Sequence, residues 1–482
     1  MVQALRPKRN ERAKCKLPPG PTPLPIIGNI LQLGEQPHKS LATLAAIHGP
    51  IMSLKLGLMT TIIVSSAEIA KQVLQTHDHL LSNRTIPHAI TGQNHHEFSL
   101  PFMPTTPRWR FLRKICNNLL FSSKILDTTQ KRRSWKVQEL LTRIHQSSLT
   151  GEAIEIGRST FMTVVNMLSN SVCSLDLVHA DTVNEFKELE SDVMKEVGRP
   201  NVADYFPILK MVDPLGIKRR MHVYFGKVLK IIHDLVDHRL QLRQETSNVT
   251  DNDMLDGLLR ISEDDTRQLN TTMIERLLMD LFLAGSDTTT STLEWAMTEL
   301  IRNPEAMSKA KAELELTVGK GNPVEENDMD RLPYLLAVLK ETFRLHPVVP
   351  LLLPRRAEED VELCGYVIPK GAQVLVNIWA IGRDPSIWNE PDVFNAERFL
   401  GSEIDVKGRH FELAPFGAGR RICPGLPLAM KMLVLILGSL INSFDWELED
   451  GMTPEDKDME DKFGIVMEKA KPLRAVPVRL SK

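Results

Sequence analysis

The sequence predicts a mainly α-helical fold with a minor β part, on three observations. The segment 271–302 is apolar at helical spacing without proline, which predicts a helix roughly 48 Å long, able to cross the centre of the molecule. A second helical segment, 331–346, is followed directly by Pro347. The segment 365–380 combines turn residues with alternating β-branched residues, the pattern of a small hairpin.

The chain predicts one large domain. Its 482 residues would correspond to about three domains of ordinary size, yet no Gly/Ser-rich linker and no internal repeat divides them. The polar stretches near 243–253 and 318–328 are typical of surface loops between helices. We therefore expect a basic segment at 1–16 and a single domain at 17–482.

The first residues are strongly basic, although the whole chain has a net charge of −2 and 42% hydrophobic residues. That balance leaves ample core material and gives no case for a nucleic acid partner. A stiff proline-rich stretch, 17–29, follows the basic segment, as in the juxtamembrane part of membrane-anchored enzymes. Either an anchor has been removed from the chain or none exists, and a solvated basic tail is the alternative.

The segment 426–444 allows two interpretations. Its nineteen residues include a single charged one, Lys431, so a membrane span is possible by composition. We favour a buried core helix, because the segment directly follows a glycine-rich loop that carries a cysteine.

The cysteines do not predict a disulfide framework or a zinc site. They are five in number, widely spaced, and form no CxxC pair. His95 and His96 do not predict a metal pair either, because adjacent residues do not share a helical face.

One cysteine, Cys423, lies in the loop "PFGAGRRICPG" and predicts a ligand site. Glycines at 417, 419 and 425 would let the backbone approach a flat ligand, and Pro424 interrupts helical continuation. The next helix begins near Leu426, so its positive end points toward the sulfur and favours a thiolate. Arg421 could pair with a carboxylate of the ligand.

This loop resembles the FxxGxRxCxG haem-binding loop of the cytochrome P450 monooxygenases, through Phe416, Gly419, Arg421, Cys423 and Gly425. The resemblance covers nearly the whole chain. It implies one helical domain with small sheets around a buried haem b, with the iron bound by the Cys423 sulfur.

The central helix resembles the family's acid–alcohol region through the motif "AGSDTT", which contains Ala284, Gly285, Asp287 and Thr288. Thr288 lies four residues after Ala284, so its hydroxyl can bond the Ala284 carbonyl and open a groove for dioxygen at Gly285. The resemblance implies that Asp287 and Thr288 belong to a proton relay.

A buried ion-pair network is also implied by resemblance. Glu341 and Arg344 form an ExxR pair on one helix face, and Arg398 supplies the third member of the family's Glu-Arg-Arg network. Asn395 stands near the position where the family commonly has a proline before its Glu-Arg pair, so the sequence departs from the family's pattern at this turn.

The family's haem propionates have candidate partners here. Trp109 and Arg113 match a WxxxR motif, and Arg355 follows Pro354 at a further matching position. Together with Arg421, these arginines would neutralise two propionates through charge-assisted bonds.

The segments that line the substrate pocket in this family are chiefly apolar here, which favours an apolar substrate. Each residue could equally be plain core. The predicted lining residues are Phe102, Met103, Phe206, Ile208, Leu209, Phe282, Leu283, Val348, Val349, Leu351, Ile465 and Val466.

Several local phrases, such as "WRFLRKIC" and "PLLLPRRAEEDVELCGYVIPKG", are similar to the plant microsomal branch and its terpenoid-hydroxylating members. The resemblance implies hydroxylation, with O2, of an unactivated C–H bond in a monoterpenol such as geraniol or in an abietane-type diterpene. A reductase-independent haem-thiolate isomerase or dehydratase and a non-catalytic haem-binding protein remain the alternatives.

The electrons must come from another protein, because no GxGxxG motif opens a βαβ unit that could hold a nicotinamide or flavin. The resemblance implies NADPH–cytochrome P450 reductase, with Arg110, Lys114 and Lys431 as candidate cationic contacts. It further implies a monomer at the endoplasmic reticulum membrane, with the catalytic domain facing the cytosol and the anchor missing from this chain.

Overall fold

The helices dominate the fold, as the sequence predicts. A computed structural model describes residues 16–245, 253–449, 453 and 458–480. The α-helices in this part are α1 (Pro37–His48), α2 (Ala67–Lys71), α3 (Asp78–Leu81), α4 (Pro107–Leu119), α5 (Ser123–Thr150), α6 (Ile156–Cys173), α7 (Val183–Gly198), α8 (Val202–Tyr205), α9 (Ile217–Glu245), α10 (Met254–Asp264), α11 (Thr271–Arg302), α12 (Pro304–Thr317), α13 (Pro333–Leu345), α14 (Ile378–Ile381) and α15 (Leu426–Ser443).

Two predicted segments fall largely outside the described residues. The basic segment 1–16 lies there except for Lys16, and so does most of the loop predicted near 243–253. Helix α9 continues to Glu245, so this loop starts later than predicted.

The strands are short and form small sheets at the edge of the helical body. In the described residues β1, β2, β8, β5 and β3 make a five-stranded sheet, β4, β12 and β9 a three-stranded one, and β6–β7 and β10–β11 two pairs. The strands are β1 (Ile51–Leu56), β2 (Met59–Val64), β3 (Asn83–Arg84), β4 (Ile154–Glu155), β5 (Arg355–Arg356), β6 (Val361–Leu363), β7 (Tyr366–Ile368), β8 (Gln373–Val376), β9 (Phe444–Leu448), β10 (Asp461–Lys462), β11 (Glu468–Lys469) and β12 (Arg474–Arg479).

Helix α11 spans the residues that the apolar pattern predicts. The Asn270 side chain caps its first turn by accepting from the Met273 N–H. The helix is buried along most of its length and packs against α6, α9 and α15. It therefore crosses the interior of the helical body, and its side chains reach the core on several sides.

The predicted hairpin at 365–380 is wrong in its pairing, although both strands exist. β7 instead pairs antiparallel with β6, the strand that precedes it in the chain. The turn between these two strands contains Cys364 and Gly365, which have φ of 53° and 79°. β8 instead joins the five-stranded sheet, parallel to β2 and antiparallel to β5. The physical reason is the turn at 364–365, which closes the hairpin one strand earlier.

Helix α15 is a core helix. It is the one helix in the described ranges that is long and apolar enough to cross a membrane, and its apolar window is 72% buried inside the protein. It packs against α5, α11 and α12. Burial against protein on several sides agrees with the core interpretation of the segment 426–444.

The predicted Glu-Arg-Arg network is assembled around Glu341, whose side chain is fully buried. Arg344 donates to both carboxylate oxygens, from Nε and Nη2, at 2.7 Å each, and Arg398 Nε donates at 3.0 Å. The Asn395 backbone N–H adds a fourth bond at 2.9 Å. The Asn395 side chain also caps the Glu397 N–H, which supplies the local turn without a proline.

Replacing Glu341 with Ala should unfold much of the protein at ordinary temperature. The change leaves the buried Arg344 guanidinium without its counter-charge, which costs roughly 3–5 kcal/mol. Thermal unfolding followed by circular dichroism measures the loss. Glu305→Ala is the matched control, because the Glu305 side chain is 84% exposed and its pair with Lys309 lies on the surface. Equal melting temperatures for the two variants would contradict the proposed stabilising role of the network.

Candidate active site

The cysteine loop is built as a tight turn that ends at a helix. Gly419–Arg421 form a 3₁₀ turn, and α15 begins at Leu426, directly after the loop. The Cys423 N–H donates to the Phe416 carbonyl at 2.9 Å. The Phe416 ring packs edge-on against Phe343 of α13, with 5.4 Å between ring centroids. Phe416 thus fixes the loop to the helix that carries Glu341.

The glycines of this loop occupy their positions for different physical reasons. Gly419 has a φ of 68°, and a Cβ placed on it would lie 2.1 Å from the Leu74 carbonyl oxygen. Glycine is therefore required here to leave space for the Leu74 carbonyl, and the ligand contact predicted at Gly419 stays a prediction. At Gly425 a Cβ would lie 3.8 Å from the Cys423 Sγ and from the Phe121 ring.

The Cys423 thiol experiences opposing influences. Burial raises its pKa, while backbone N–H groups of Gly425 and Leu426 and the charge of Arg113 act to lower it. These donors and this cation stabilise the thiolate form. A bound metal ion would complete the stabilisation, because a coordinating thiol is deprotonated outright.

Three buried guanidinium groups lie beside the loop: those of Arg84, Arg355 and Arg421. Burial and then the charges of Arg355 and Arg421 hold the pKa of Arg84 well below its usual value. Burial, followed by Arg355 and Arg113, lowers the pKa of Arg421 to about 9. Asp78 is the carboxylate that the described residues bring to this cluster, and it accepts from Arg355 at 3.0 Å. The cluster keeps an excess of positive charge, which fits a ligand with two carboxylates.

The sequence-based interpretation did not include Arg84. It enters the cluster because β3 pairs with β5, which sets Arg84 directly opposite Arg355. No local motif marks this pairing, so the sequence offered no clue to it.

Arg421 and Trp109 use their donors differently from the prediction. Arg421 donates to the carbonyls of Ser82, Leu100 and Met103 at 2.9, 3.2 and 2.5 Å. The Trp109 indole N–H donates to the Leu100 carbonyl at 3.0 Å, and Arg421 stacks over its ring at 4.4 Å. The indole N–H is thus committed to backbone rather than to a ligand. Through these contacts, Trp109 and Arg421 hold the loop that precedes α4 against the cysteine loop.

On α11, the Thr288 hydroxyl donates to the Ala284 carbonyl at 2.9 Å, as the i, i+4 spacing predicts. Ala284 is exposed and Gly285 and Thr288 are half-buried, although most of the helix around them is buried. This face of α11 therefore opens on an interior space. A Cβ on Gly285 would lie 2.8 Å from Cδ2 of Leu168 in α6, so an added methyl group there would require the end of the Leu168 side chain to shift.

Asp287 faces other acids. Burial and the neighbouring Glu468 carboxyl raise its pKa well above the usual value. Burial and Asp287 in turn raise the pKa of Glu190, which accepts a hydrogen bond from Ser286. This rise in pKa favours the neutral form of Asp287, the residue that precedes Thr288 in the chain.

A half-buried thiol with backbone donors, an arginine cluster with excess positive charge, and an open face on a central helix together fit a haem bound through sulfur. The cytochrome P450 family model matches residues 18–474. The chain belongs to the cytochrome P450 family. Members hold haem through a cysteine thiolate, use O2 and electrons from a redox partner, and are generally membrane-associated in plants. The protein is accordingly a cytochrome P450 monooxygenase.

Three relatives named as hydroxylases or monooxygenases match nearly the whole P450 chain. Geraniol 8-hydroxylase of Swertia mussotii is 54% identical over 471 residues, which are 97% of this chain and 95% of the relative. Geraniol 8-hydroxylase of Catharanthus roseus is 53% identical over 471 residues, with the same coverage. Drimenol monooxygenase of Persicaria hydropiper is 49% identical over 484 residues, which are 100% of this chain and 96% of the relative.

The predicted pocket residues of this P450 do not form one group. Six are buried: Phe102, Met103, Phe282, Leu283, Val348 and Val466. Three others line a cavity of about 170 Å³ between the five-stranded sheet, α1 and the chain around 197–205, and these are Val349, Leu351 and Ile465.

The pocket prediction is wrong for Ile208, whose side chain is 78% exposed. The 3₁₀ turn Pro207–Met211 directs it outward. Phe206 and Leu209 are half-buried, and the Phe206 ring packs against Gly57 at the β1–β2 turn.

The residues predicted as cationic contacts for the redox partner differ in whether they are exposed or paired within the protein. Arg110 and Lys114 are exposed on α4, the helix that carries Arg113. Lys431 is instead paired with the buried carboxylate of Glu326 at 2.6 Å, which argues against its predicted role as a cationic contact for the redox partner.

Replacing Gly419 with Ala should disrupt the cysteine loop, whereas Gly417→Ala should be tolerated. Both glycines have a φ of 68°, so both variants pay about 1–2 kcal/mol of backbone strain. At Gly417 the nearest atom to an added Cβ is 3.9 Å away, against 2.1 Å at Gly419. Thermal unfolding and the carbon-monoxide difference spectrum of the reduced protein report the outcome. Identical behaviour of the two variants would show that the Leu74 contact does not constrain the loop.

Proposed function

We propose that this P450 hydroxylates an unactivated C–H bond of a plant terpenoid, and that a monoterpene alcohol such as geraniol is the first candidate. The observation that carries the proposal is identity near 50% over essentially the full chain to relatives named for oxygenation of geraniol and drimenol. The apolar residues predicted to line the pocket support a hydrocarbon-rich substrate. Diterpene hydrocarbons are the second class to test.

We assign haem b to the cysteine loop, with Cys423 as the iron ligand. A haem held there by the thiolate would supply the chemistry that inserts one oxygen atom of O2 into a C–H bond, while two electrons from the redox partner and two protons reduce the other oxygen atom to water. The excess charge of Arg84, Arg355 and Arg421, with Arg113 nearby, supports a role in neutralising the two propionates. Because Arg84, Arg355 and Arg421 are buried, they would hold the carboxylates of the cofactor away from water.

Thr288 and Asp287 are assigned to proton supply. The Thr288 hydroxyl is tied to the Ala284 carbonyl on the face of α11 that opens inward. Asp287 favours its neutral form, so it can hold a proton that the reaction consumes. Ala284 and Gly285 leave this face of the helix without bulky side chains.

The domain at 17–482 is proposed to lie on the endoplasmic reticulum membrane and face the cytosol as a monomer. Apolar side chains near the β1–β2 turn and the 3₁₀ turn 207–211 support membrane contact, since Leu58, Ile208 and Met211 are 65%, 78% and 91% exposed. The Leu58 N–H donates to the Tyr205 carbonyl at 2.9 Å, which holds the two turns together.

The redox partner is proposed to be NADPH–cytochrome P450 reductase. Arg110 and Lys114 are exposed one turn apart on α4, on the helix whose Arg113 charge reaches Cys423. These cations suit an acidic docking surface.

Membranes that contain this protein and the reductase should convert geraniol to a hydroxylated product only when NADPH is present. Mass spectrometry of a panel of monoterpenols and diterpenes measures the products. Cys423→Ser should abolish both product and the carbon-monoxide difference spectrum, because the thiolate ligand is lost. Cys364→Ser is the matched control, since Cys364 is exposed. Product formation without NADPH, or only from non-terpenoid compounds, would refute the proposed reaction or substrate respectively.

Replacing Thr288 with Ala should lower hydroxylated product per NADPH consumed by roughly tenfold or more, because a positioned proton donor is lost. Thr289→Ala is the matched control. Thr289 makes the equivalent bond to the Gly285 carbonyl at 2.9 Å, yet it is 4% exposed. Parallel assays of NADPH oxidation and product measure the ratio. A ratio that falls equally in both variants would assign the effect to helix geometry rather than to the Thr288 hydroxyl.

A further inference from the structure

We propose that Asp280 of α11 is a positioning residue that determines pocket shape by tethering the loop 95–103. Asp280 lies seven residues before Asp287 on the same helix and is 7% exposed. The proposal rests on the proposed haem site, and it does not depend on the identity of the terpenoid.

The Asp280 carboxylate binds the loop through three donors. His95 Nε2 lies 2.8 Å from Oδ1, the Ser99 hydroxyl donates to Oδ1 at 3.1 Å, and the Leu100 N–H donates to Oδ2 at 2.7 Å. Because the carboxylate can only accept, the His95 ring must carry its proton on Nε2 in this contact. A buried carboxylate needs such donors, and all three come from one short stretch of chain.

The same stretch is also held by Arg421 of the cysteine loop and by Trp109 of α4. The Leu100 carbonyl accepts from the Trp109 indole at 3.0 Å and from Arg421 at 3.2 Å. Arg421 also donates to the Met103 carbonyl at 2.5 Å. Leu100 is therefore fixed at its N–H by the central helix and at its carbonyl by the groups around Cys423.

This double attachment determines where the predicted pocket residues Phe102 and Met103 lie. Their N–H groups donate to the Ser99 carbonyl at 3.1 and 2.8 Å, so both follow a turn that starts at a residue bound to Asp280. The 3₁₀ turns of His88–Glu97 end at Glu97, so residues 98–103 of the loop have no helix or strand to fix them. The tether to Asp280 replaces the order that a helix would provide.

The contact also explains the pair of adjacent histidines. His95 is buried, bonds to Asp280, and packs against Phe225 with 4.9 Å between ring centroids. His96 shares none of the Asp280 bonds among the described residues and is half-buried. The two histidines therefore provide a matched pair of substitutions.

The test compares His95→Phe, Asp280→Asn and Asp280→Leu with His96→Phe in the full haem-loaded protein. The first readout is hydrogen exchange in peptides that cover 96–106. We expect exchange to rise roughly tenfold in His95→Phe and Asp280→Leu, and less in Asp280→Asn, which keeps an acceptor for the Leu100 N–H. His96→Phe should match the unaltered protein.

The second readout is spectral titration with imidazole, which reports on the haem alone, and with 4-phenylimidazole, whose ring needs the pocket wall. The dissociation constant for 4-phenylimidazole should change about fivefold or more in His95→Phe, with that for imidazole unchanged within twofold. Unchanged loop exchange in His95→Phe would overturn the proposal. Faster exchange with equal changes for both ligands would also overturn it, because a purely structural anchor predicts that result. Failure of the proposed function is distinguishable, since it would be seen in the unaltered protein as absent haem or absent hydroxylation.

Discussion

The structure depends on the accommodation of buried positive charge beside a single cysteine. Arg84, Arg355 and Arg421 are buried together with Asp78 as their carboxylate partner. Charges removed from water need hydrogen-bond acceptors, and the chain supplies backbone carbonyls from several segments that otherwise have no regular structure. The route of the chain from β3 to α4 follows from this demand, because it wraps its carbonyls around the guanidinium groups. A ligand whose carboxylates neutralise the remaining positive charge would therefore stabilise the folded structure.

A second ionic centre supports the first through packing. Glu341 binds Arg344 and Arg398 inside the protein, and Phe343, between Glu341 and Arg344 in α13, meets Phe416 of the cysteine loop. Helix α13, which the Glu341 network holds in place, therefore packs against the cysteine loop. Helix α15 leaves from the other side of Cys423 into the core. The sulfur is placed by two helices and an aromatic contact, so its position does not rely on the glycine-rich chain alone.

The sequence alone predicts those side-chain contacts that depend on spacing within one helix. The i, i+4 relation between Ala284 and Thr288 and the i, i+3 relation between Glu341 and Arg344 fix their contacts wherever the helix lies. The residues that were missed or misplaced depend on pairing between distant segments. Arg84 meets Arg355 through the β3–β5 register. The pairing of β7 and the outward direction of Ile208 follow from turns whose φ angles and tertiary contacts no short pattern specifies.

Met211 and Ile208 project from a turn adjoining Tyr205, and Tyr205 lines the cavity beside the five-stranded sheet. Each methylene group that leaves water for lipid gains about 0.8 kcal/mol, so a ten-carbon hydrocarbon chain accumulates in a bilayer by several orders of magnitude. The membrane contact proposed for these side chains would place the cavity beside that reservoir. Apparent Michaelis constants expressed per volume of water would then scale with the quantity of phospholipid in the assay, and kinetic comparisons between preparations would require concentrations per mole of lipid.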